Sequence, residues 1–191
     1  SPASFPQAIG EGSVTSTFTW NTTCSHVQFQ PYQVVFKARD TFNFPQLADI
    51  RTVSIRVISP PPENVSATPV GNTIHLSWDQ APCDRTIGYD LYRRDGFYGL
   101  DPGPCEPGVP EASGYVKIAT LEGIADTTFI DDNEGMGLVH GIDYCYTVVS
   151  FFADGSESYP SQEACATLKK DVPIITNVSV NPINIQTSKI E

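Results

Sequence analysis

The stretch Tyr144–Leu168, YCYTVVSFFADGSESYPSQEACATL, decides the fold. Its first half alternates: Tyr144, Tyr146 and Val148 project to one side, and Cys145, Thr147 and Val149 to the other. That period of two belongs to a strand. Ala153-Asp154-Gly155 supplies turn chemistry, and the chain then returns to Cys165. A hairpin turning about Gly155 and pairing Phe151 with Tyr159 carries Cys145 directly opposite Cys165. Directly opposed residues of an antiparallel pair have Cα atoms about 4.5–5.5 Å apart, within disulfide reach. The spacing therefore predicts a staple between two adjacent strands, on the side away from Tyr144 and outside the core.

Working outward, more short strands with turns between them come into view. Thr73–Trp78 places Ile74, Leu76 and Trp78 on one side. Gly88–Arg94 reads as the next strand, Tyr115–Ala119 and Asp126–Ile130 as two further ones. Between them, residues 95–114 form a long Gly- and Pro-rich loop. Upstream, Tyr32–Ala38 and Ile50–Val57 also read as strands. Hydrophobic residues make up 40% of the chain, charged residues only 17%, and 16 Pro and 14 Gly punctuate it. Amphipathic helical stretches are scarce. The fold class expected is all-β.

Two Pro-rich seams divide the 191 residues: Ser59-Pro60-Pro61-Pro62 and Lys169-Lys170-Asp171-Val172-Pro173. A similar heptad follows each, Asn64–Val70 and Asn177–Ile183, at the spacing of one β-sandwich of roughly 100 residues. The seams predict a partial β-sandwich module over 1–60, a complete one over 61–169, and a linker with the first strand of a following module over 170–191. Few contacts are expected to cross such linkers.

Asp and Glu outnumber Lys and Arg by 22 to 11, a formal net charge of −11. Nucleic acids and anionic membranes are poor partners for such a chain, since phosphate recognition needs clustered Lys and Arg. No apolar run approaches the ~20 residues of a membrane-spanning helix, so no membrane insertion is expected of this segment. The chain begins Ser1-Pro2-Ala3 with no initiator Met and reads as a mature product or a fragment.

The other cysteines extend the disulfide reading. Cys83 follows the Trp78 strand, and Cys105 sits in the middle of the long loop. Tying the two together offsets the entropy of ordering about twenty irregular residues, by roughly 3 kcal/mol. A Cys83–Cys105 bond is expected, which leaves Cys24 without a partner in the chain. Two disulfides imply an oxidising compartment. Neither nucleophile elbow, zinc-protease helix, phosphate loop nor dinucleotide fingerprint is present, so no catalytic residue, metal or cofactor is expected. Asp131-Asp132-Asn133-Glu134-Gly135 lacks the alternating ligands of a calcium loop and reads as a solvated connection. Phe97 and Tyr98, at the start of the long loop, are the candidates for contact with a partner or for anchoring the loop.

With these residues in place, 62–168 resembles a fibronectin type III domain. Trp78 in Leu76-Ser77-Trp78, followed by Ala81-Pro82, is similar to that family's second strand and the loop after it. Leu138-Val-His-Gly-Ile-Asp-Tyr144 resembles the family's Leu-x-Pro-Gly-Thr-x-Tyr corner, with His140 where the Pro would stand. The resemblance implies that the Tyr144 hydroxyl bonds back to the preceding loop. Residues 1–60 resemble the last hairpin of an immunoglobulin-like module of the cadherin or polycystic-kidney-disease type. The combination of Cys83-x-x-x-x-Gly-Tyr-Asp-Leu-Tyr-Arg-Arg94, Cys105 and Tyr144-Cys-Tyr…Cys165 resembles tandem modules of large Bacteroidota surface proteins of the gliding-motility-associated kind.

That resemblance implies an extracellular, bacterial cell-surface location and export by the type IX secretion system. In that group Asp126-Thr127-Thr128 is similar to an O-glycosylation site. The partners implied are neighbouring modules of the same chain, with the secretion machinery or other surface proteins. The role implied is non-enzymatic: spacing or presenting adhesive domains. The alternative is an accessory spacer or carbohydrate-binding region of a secreted polysaccharide-degrading enzyme, with a lectin-like use of Phe97 and Tyr98 as a third reading.

Overall fold

Tyr146 and Val148 alternate with Thr147 and Val149 along a strand that the fold places inside its larger sheet. The computed structural model describes residues 2–41 and 45–169. The expected linker and strand at 170–191 lie outside the described residues. Nine strands run through the rest: β1 Tyr32–Arg39, β2 Ala48–Ile55, β3 Ser66–Val70, β4 Thr73–Ser77, β5 Thr86–Asp95, β6 Val116–Glu122, β7 Thr128–Asp131, β8 Asp143–Phe152 and β9 Ala164–Thr167. All pairings are antiparallel. Two short 3-10 turns, Cys24–His26 and Glu111–Ser113, complete the set.

Strands β3 to β9 form a sandwich of two sheets, ordered β3-β4-β7 and β6-β5-β8-β9. Its strands keep the alternation the sequence requires. Ile74, Leu76 and Trp78 meet Tyr89, Leu91, Tyr144, Tyr146 and Val148 in one apolar core, closed by Leu138, Ala166 and Leu168. Each such side chain is worth about 1.5–3 kcal/mol in burial. Trp78 meets Tyr89 edge to face, with ring centroids 5.5 Å apart. The Tyr89 hydroxyl accepts from Ala81 N–H and donates to the Ile124 carbonyl, both at 2.9 Å, stitching two loops to the core. Tyr144 forms the expected corner: its hydroxyl accepts from Val139 N–H at 3.1 Å. His140, in place of the Pro, turns its Nδ1 to the Lys169 carbonyl.

Gly88 marks where β5 is crowded on both sides. A Cβ there would lie 2.1 Å from the Leu121 carbonyl oxygen and 2.6 Å from the Phe151 ring. The β5–β8 register also shifts between Thr86 and Gly88.

Residues 2–58 have a different character. β1 and β2 pair as an isolated two-stranded sheet, with Tyr32 opposite Ile55 and Val34 opposite Val53. Phe5 and Phe18 pack edge-on to Phe36, and Trp20 packs edge-on to Tyr32 and His26. Val35, Leu47, Ile50 and Val53 remain exposed. The expectation that few contacts cross the Pro seam does not hold. Ser59 and Pro62 are buried, and Tyr159 N–H donates to the Ser59 carbonyl at 3.1 Å. The seam is packed against the sandwich because the hairpin that precedes it is docked there too.

Candidate functional site

Two structures distinguish this molecule: a covalent clasp between the N-terminal hairpin and the sandwich, and a flap over the sandwich's outer side. The clasp is a disulfide between Cys24 and Cys83, with Cα atoms 5.3 Å apart and 59 residues between them in sequence. Cys83 therefore does not bond to Cys105, which is an exposed free thiol. The reason is positional. Cys83 is buried with Val27 and Phe152, with Cys24 and Val57 packed alongside. The flap draws Cys105 elsewhere, where its N–H donates to the Tyr159 hydroxyl at 3.2 Å. Two polar contacts flank the clasp: Phe29 N–H to Asp154 Oδ2 at 2.9 Å, and Arg85 to the Ser25 carbonyl at 3.2 Å.

Cys145 and Cys165 are bonded and directly opposed, in a pair that also matches Tyr144 with Ala166. The path between them differs from the uniform hairpin expected. Phe151 bridges Glu157, not Tyr159. Two extra residues are absorbed between the turn and β9, and Ser158 and Ser161 do the absorbing. Ser158 Oγ accepts from Ser150 N–H at 3.0 Å, and Ser161 Oγ accepts from Val148 N–H at 2.9 Å. Both serines are buried, so their hydroxyls stand in for backbone partners that β8 would otherwise lack. The outer side of β8 is also closed. Cys145, Thr147 and Val149 are all fully buried, so the bridge lies outside the apolar core but not in solvent on the β8 side.

What covers that side is the flap, residues 96–115. It is organised by a residue the sequence reading passed over. The Glu163 carboxylate accepts from three consecutive backbone amides: Tyr98 at 3.0 Å, Gly99 at 2.6 Å and Leu100 at 2.7 Å. The Tyr115 hydroxyl adds a fourth bond at 2.5 Å. Burial pushes the Glu163 pKa up, but the four donors outweigh it and hold the group below the usual range. Tyr115 is raised, by burial first and then by that carboxylate. Farther along, Gly108 N–H donates to the Ser158 carbonyl at 2.9 Å. No motif flags Glu163; only its place just before Cys165 hints that it faces the flap.

Phe97 and Tyr98, the aromatic candidates, ride on this anchored turn. Tyr98 lies against the Arg94 guanidinium at 5.2 Å. Phe97 is 70% exposed, while the bonds that hold this turn run from the amides of residues 98–100 to Glu163. On the same side of the sheet, Asp90 is buried and bonds to Lys117 and Thr120. Burial and then Asp90 raise the pKa of the nearby Glu157. Burial, Asp90 and Glu157 push Tyr92 up to about 12.

The acidic run after Ile130 is not wholly solvated. Asp131 is 3% exposed and bridges the two sheets. Arg93 Nη1 donates to both of its oxygens at 3.0 and 2.9 Å, and the Tyr146 hydroxyl donates at 2.8 Å. Asn133 holds Arg93 Nη2 and donates its own N–H to Asp131. Tyr146 is raised, by burial and then by this carboxylate. Asp40, at the end of β1, accepts from Leu47 N–H at 3.2 Å and closes the β1–β2 turn.

No family model matches the chain, and no curated protein matches it. Solved structures similar to it include a Fn3-like protein from Clostridium thermocellum, 26% identical with a TM-score of 0.39, covering 61% of this chain and 100% of that one. The FN1–FN3 domains of chicken CNTN1 are 16% identical with a TM-score of 0.45, covering 84% of this chain and 54% of that one. A β-1,2-glucanase from Parabacteroides distasonis is 16% identical with a TM-score of 0.41, covering 66% of this chain and 16% of that one.

Proposed function

We propose that this chain is a non-enzymatic, structural segment of a large secreted or cell-surface multidomain protein, which holds neighbouring modules at a fixed spacing. One observation carries the reading: the Cys24–Cys83 clasp ties the N-terminal hairpin segment covalently to the sandwich, and it can persist only outside a reducing cytoplasm. In this reading residues 1–60 are the end of an immunoglobulin-like module, and 61–169 are a fibronectin type III module. The exposed apolar residues of the β1–β2 hairpin fit a module that continues beyond the hairpin. The parent protein is a Bacteroidota surface protein of the gliding-motility-associated kind, carried out by the type IX secretion system. Partners meet it through adjacent modules and through Phe97 and Tyr98 on the flap.

The test is surface localisation. Antibody against the sandwich should label intact cells, and external protease should remove the label. Deleting the type IX export machinery should abolish it. Labelling only after permeabilisation, with all five cysteines reduced, would overturn the reading. A parent protein that cleaves polysaccharide would instead assign the segment to a secreted enzyme as its spacer.

A further inference from the structure

The two disulfides also decide how the chain carries tension, because a covalent cross-link removes everything between its ends from the stretched path. We propose that together they divert tension from the sandwich's edge strands into lengthwise shear of its two inner strands, β5 and β8, making the segment a stiff tether. The spacer reading supplies only the origin of the tension; the path follows from the connectivity.

A pull on both ends of the chain reaches Cys24, crosses to Cys83 and bypasses β1, β2, the Pro seam, β3 and β4. It then runs through residues 84–144 to Cys145, crosses to Cys165 and leaves through the end of β9. The two points of attack are placed for shear. Cys83 lies just before Thr86, the start of β5, whose partner is Phe152 at the far end of β8. Cys145 lies opposite Arg94, near the other end of β5. Pulling them apart slides β5 along β8, so the hydrogen bonds of nine registered pairs are strained together.

A tie sits across the sliding pair. Arg93 of β5 and Tyr146 of β8 are directly opposed, and both bond to Asp131 of β7. A one-residue slip must break at least one of them. Without the disulfides, tension would instead enter through the seam into β3 and leave through β9. Each of these is an edge strand, and they belong to different sheets. β3 is held to β4 by five registered pairs and β9 to β8 by four, so fewer hydrogen bonds would bear the load than in the nine-pair β5–β8 ladder.

Single-molecule pulling on the full 191-residue chain tests this. Once residues 2–23 have been drawn off the hairpin they pack against, the oxidised protein should release only the length held in residues 84–144, about 200 Å at 3.3–3.6 Å per residue, in one high-force rupture. Adding reductant should release residues 25–82, about 200 Å more, and residues 146–164, about 65 Å more, at lower force. The Cys24→Ser, Cys83→Ser double variant should rupture earlier and yield the longer first release. If that variant does not fold, adding reductant to folded oxidised molecules held under low tension gives the same comparison. Asp131→Asn, oxidised, should lower the rupture force with the released length unchanged. Equal rupture forces with and without the disulfides, or full-length release from the oxidised chain, would overturn the proposal. A failed surface-labelling experiment would remove the spacer reading while leaving the rupture pattern standing.

Discussion

At Glu163 the cost of drawing a carboxylate partly out of water is offset by four donors, three of them consecutive backbone amides of the flap. Hydrogen bonds to charged groups contribute about 1.5–3 kcal/mol. Glu163→Gln keeps the size and loses the charge, so it should cost an amount in that range. At about 2–4 °C per kcal/mol for a chain this long, the melting temperature should fall by several degrees. Amides 98–100 should lose protection from hydrogen exchange; unchanged exchange there would show that the flap is held by something else. The pH dependence follows in sign. A depressed acid pKa contributes stability above the ordinary glutamate range, and that stability is lost as pH falls through the depressed value. Glu157 acts oppositely, since burial and Asp90 raise it: its contribution is present below the ordinary glutamate range and is lost as pH rises through the raised value. Glu163→Gln should therefore flatten the acid limb of the stability profile and leave the opposite Glu157 effect in place. None of this is visible as a pattern in the sequence. A single carboxylate cradled by main-chain amides has no side-chain signature.

The β8–β9 hairpin shows how far alternation alone can be followed. The period of two puts Tyr144, Tyr146 and Val148 in the core and sets Cys145 against Cys165, as the structure has them. The same period cannot locate the two residues absorbed after the turn, because either sheet side accepts serines there. Their role can be tested. Ser158→Ala and Ser161→Ala each leave a buried β8 amide without its acceptor, a loss of about 1–3 kcal/mol. Ser150 is the control: its hydroxyl is buried with no partner among the described residues, so Ser150→Ala should change stability by well under ~1 kcal/mol. Urea denaturation of the three variants separates these outcomes. Equal, small losses for all three would mean that the hydroxyls do not complete the ladder. The anchoring of the flap is hidden for a related reason. Its length and Pro content suggested a disulfide at Cys105, whereas main-chain bonds to Glu163 and Ser158 order it without one.

Taken as one object, the molecule is a sandwich with a two-stranded N-terminal hairpin clamped to it, and the clamp is the part the sequence could least disclose. Cys24 and Cys83 are separated by 59 residues and a Pro seam. No strand register joins them, so no local spacing could pair them, whereas Cys145 and Cys165 are matched by their own hairpin. The consequence is an uneven distribution of stability. The sandwich has its own core and should survive loss of the clasp. The β1–β2 hairpin is a two-stranded sheet, which is marginal alone, and it relies on the clasp, Val27 against Phe152, and the Phe5, Phe18 and Trp20 cover. Closing a loop of this length contributes about 4 kcal/mol in the chain-entropy account. In the oxidised protein the two parts should melt in a single transition. In the Cys24→Ser, Cys83→Ser variant that transition should split. Amides of residues 32–39 and 48–55 should exchange first, and those of β5 and β8 should keep their protection. A single transition with unaltered protection in β1 and β2 would mean that noncovalent docking suffices. The clasp would then matter only when the chain is pulled.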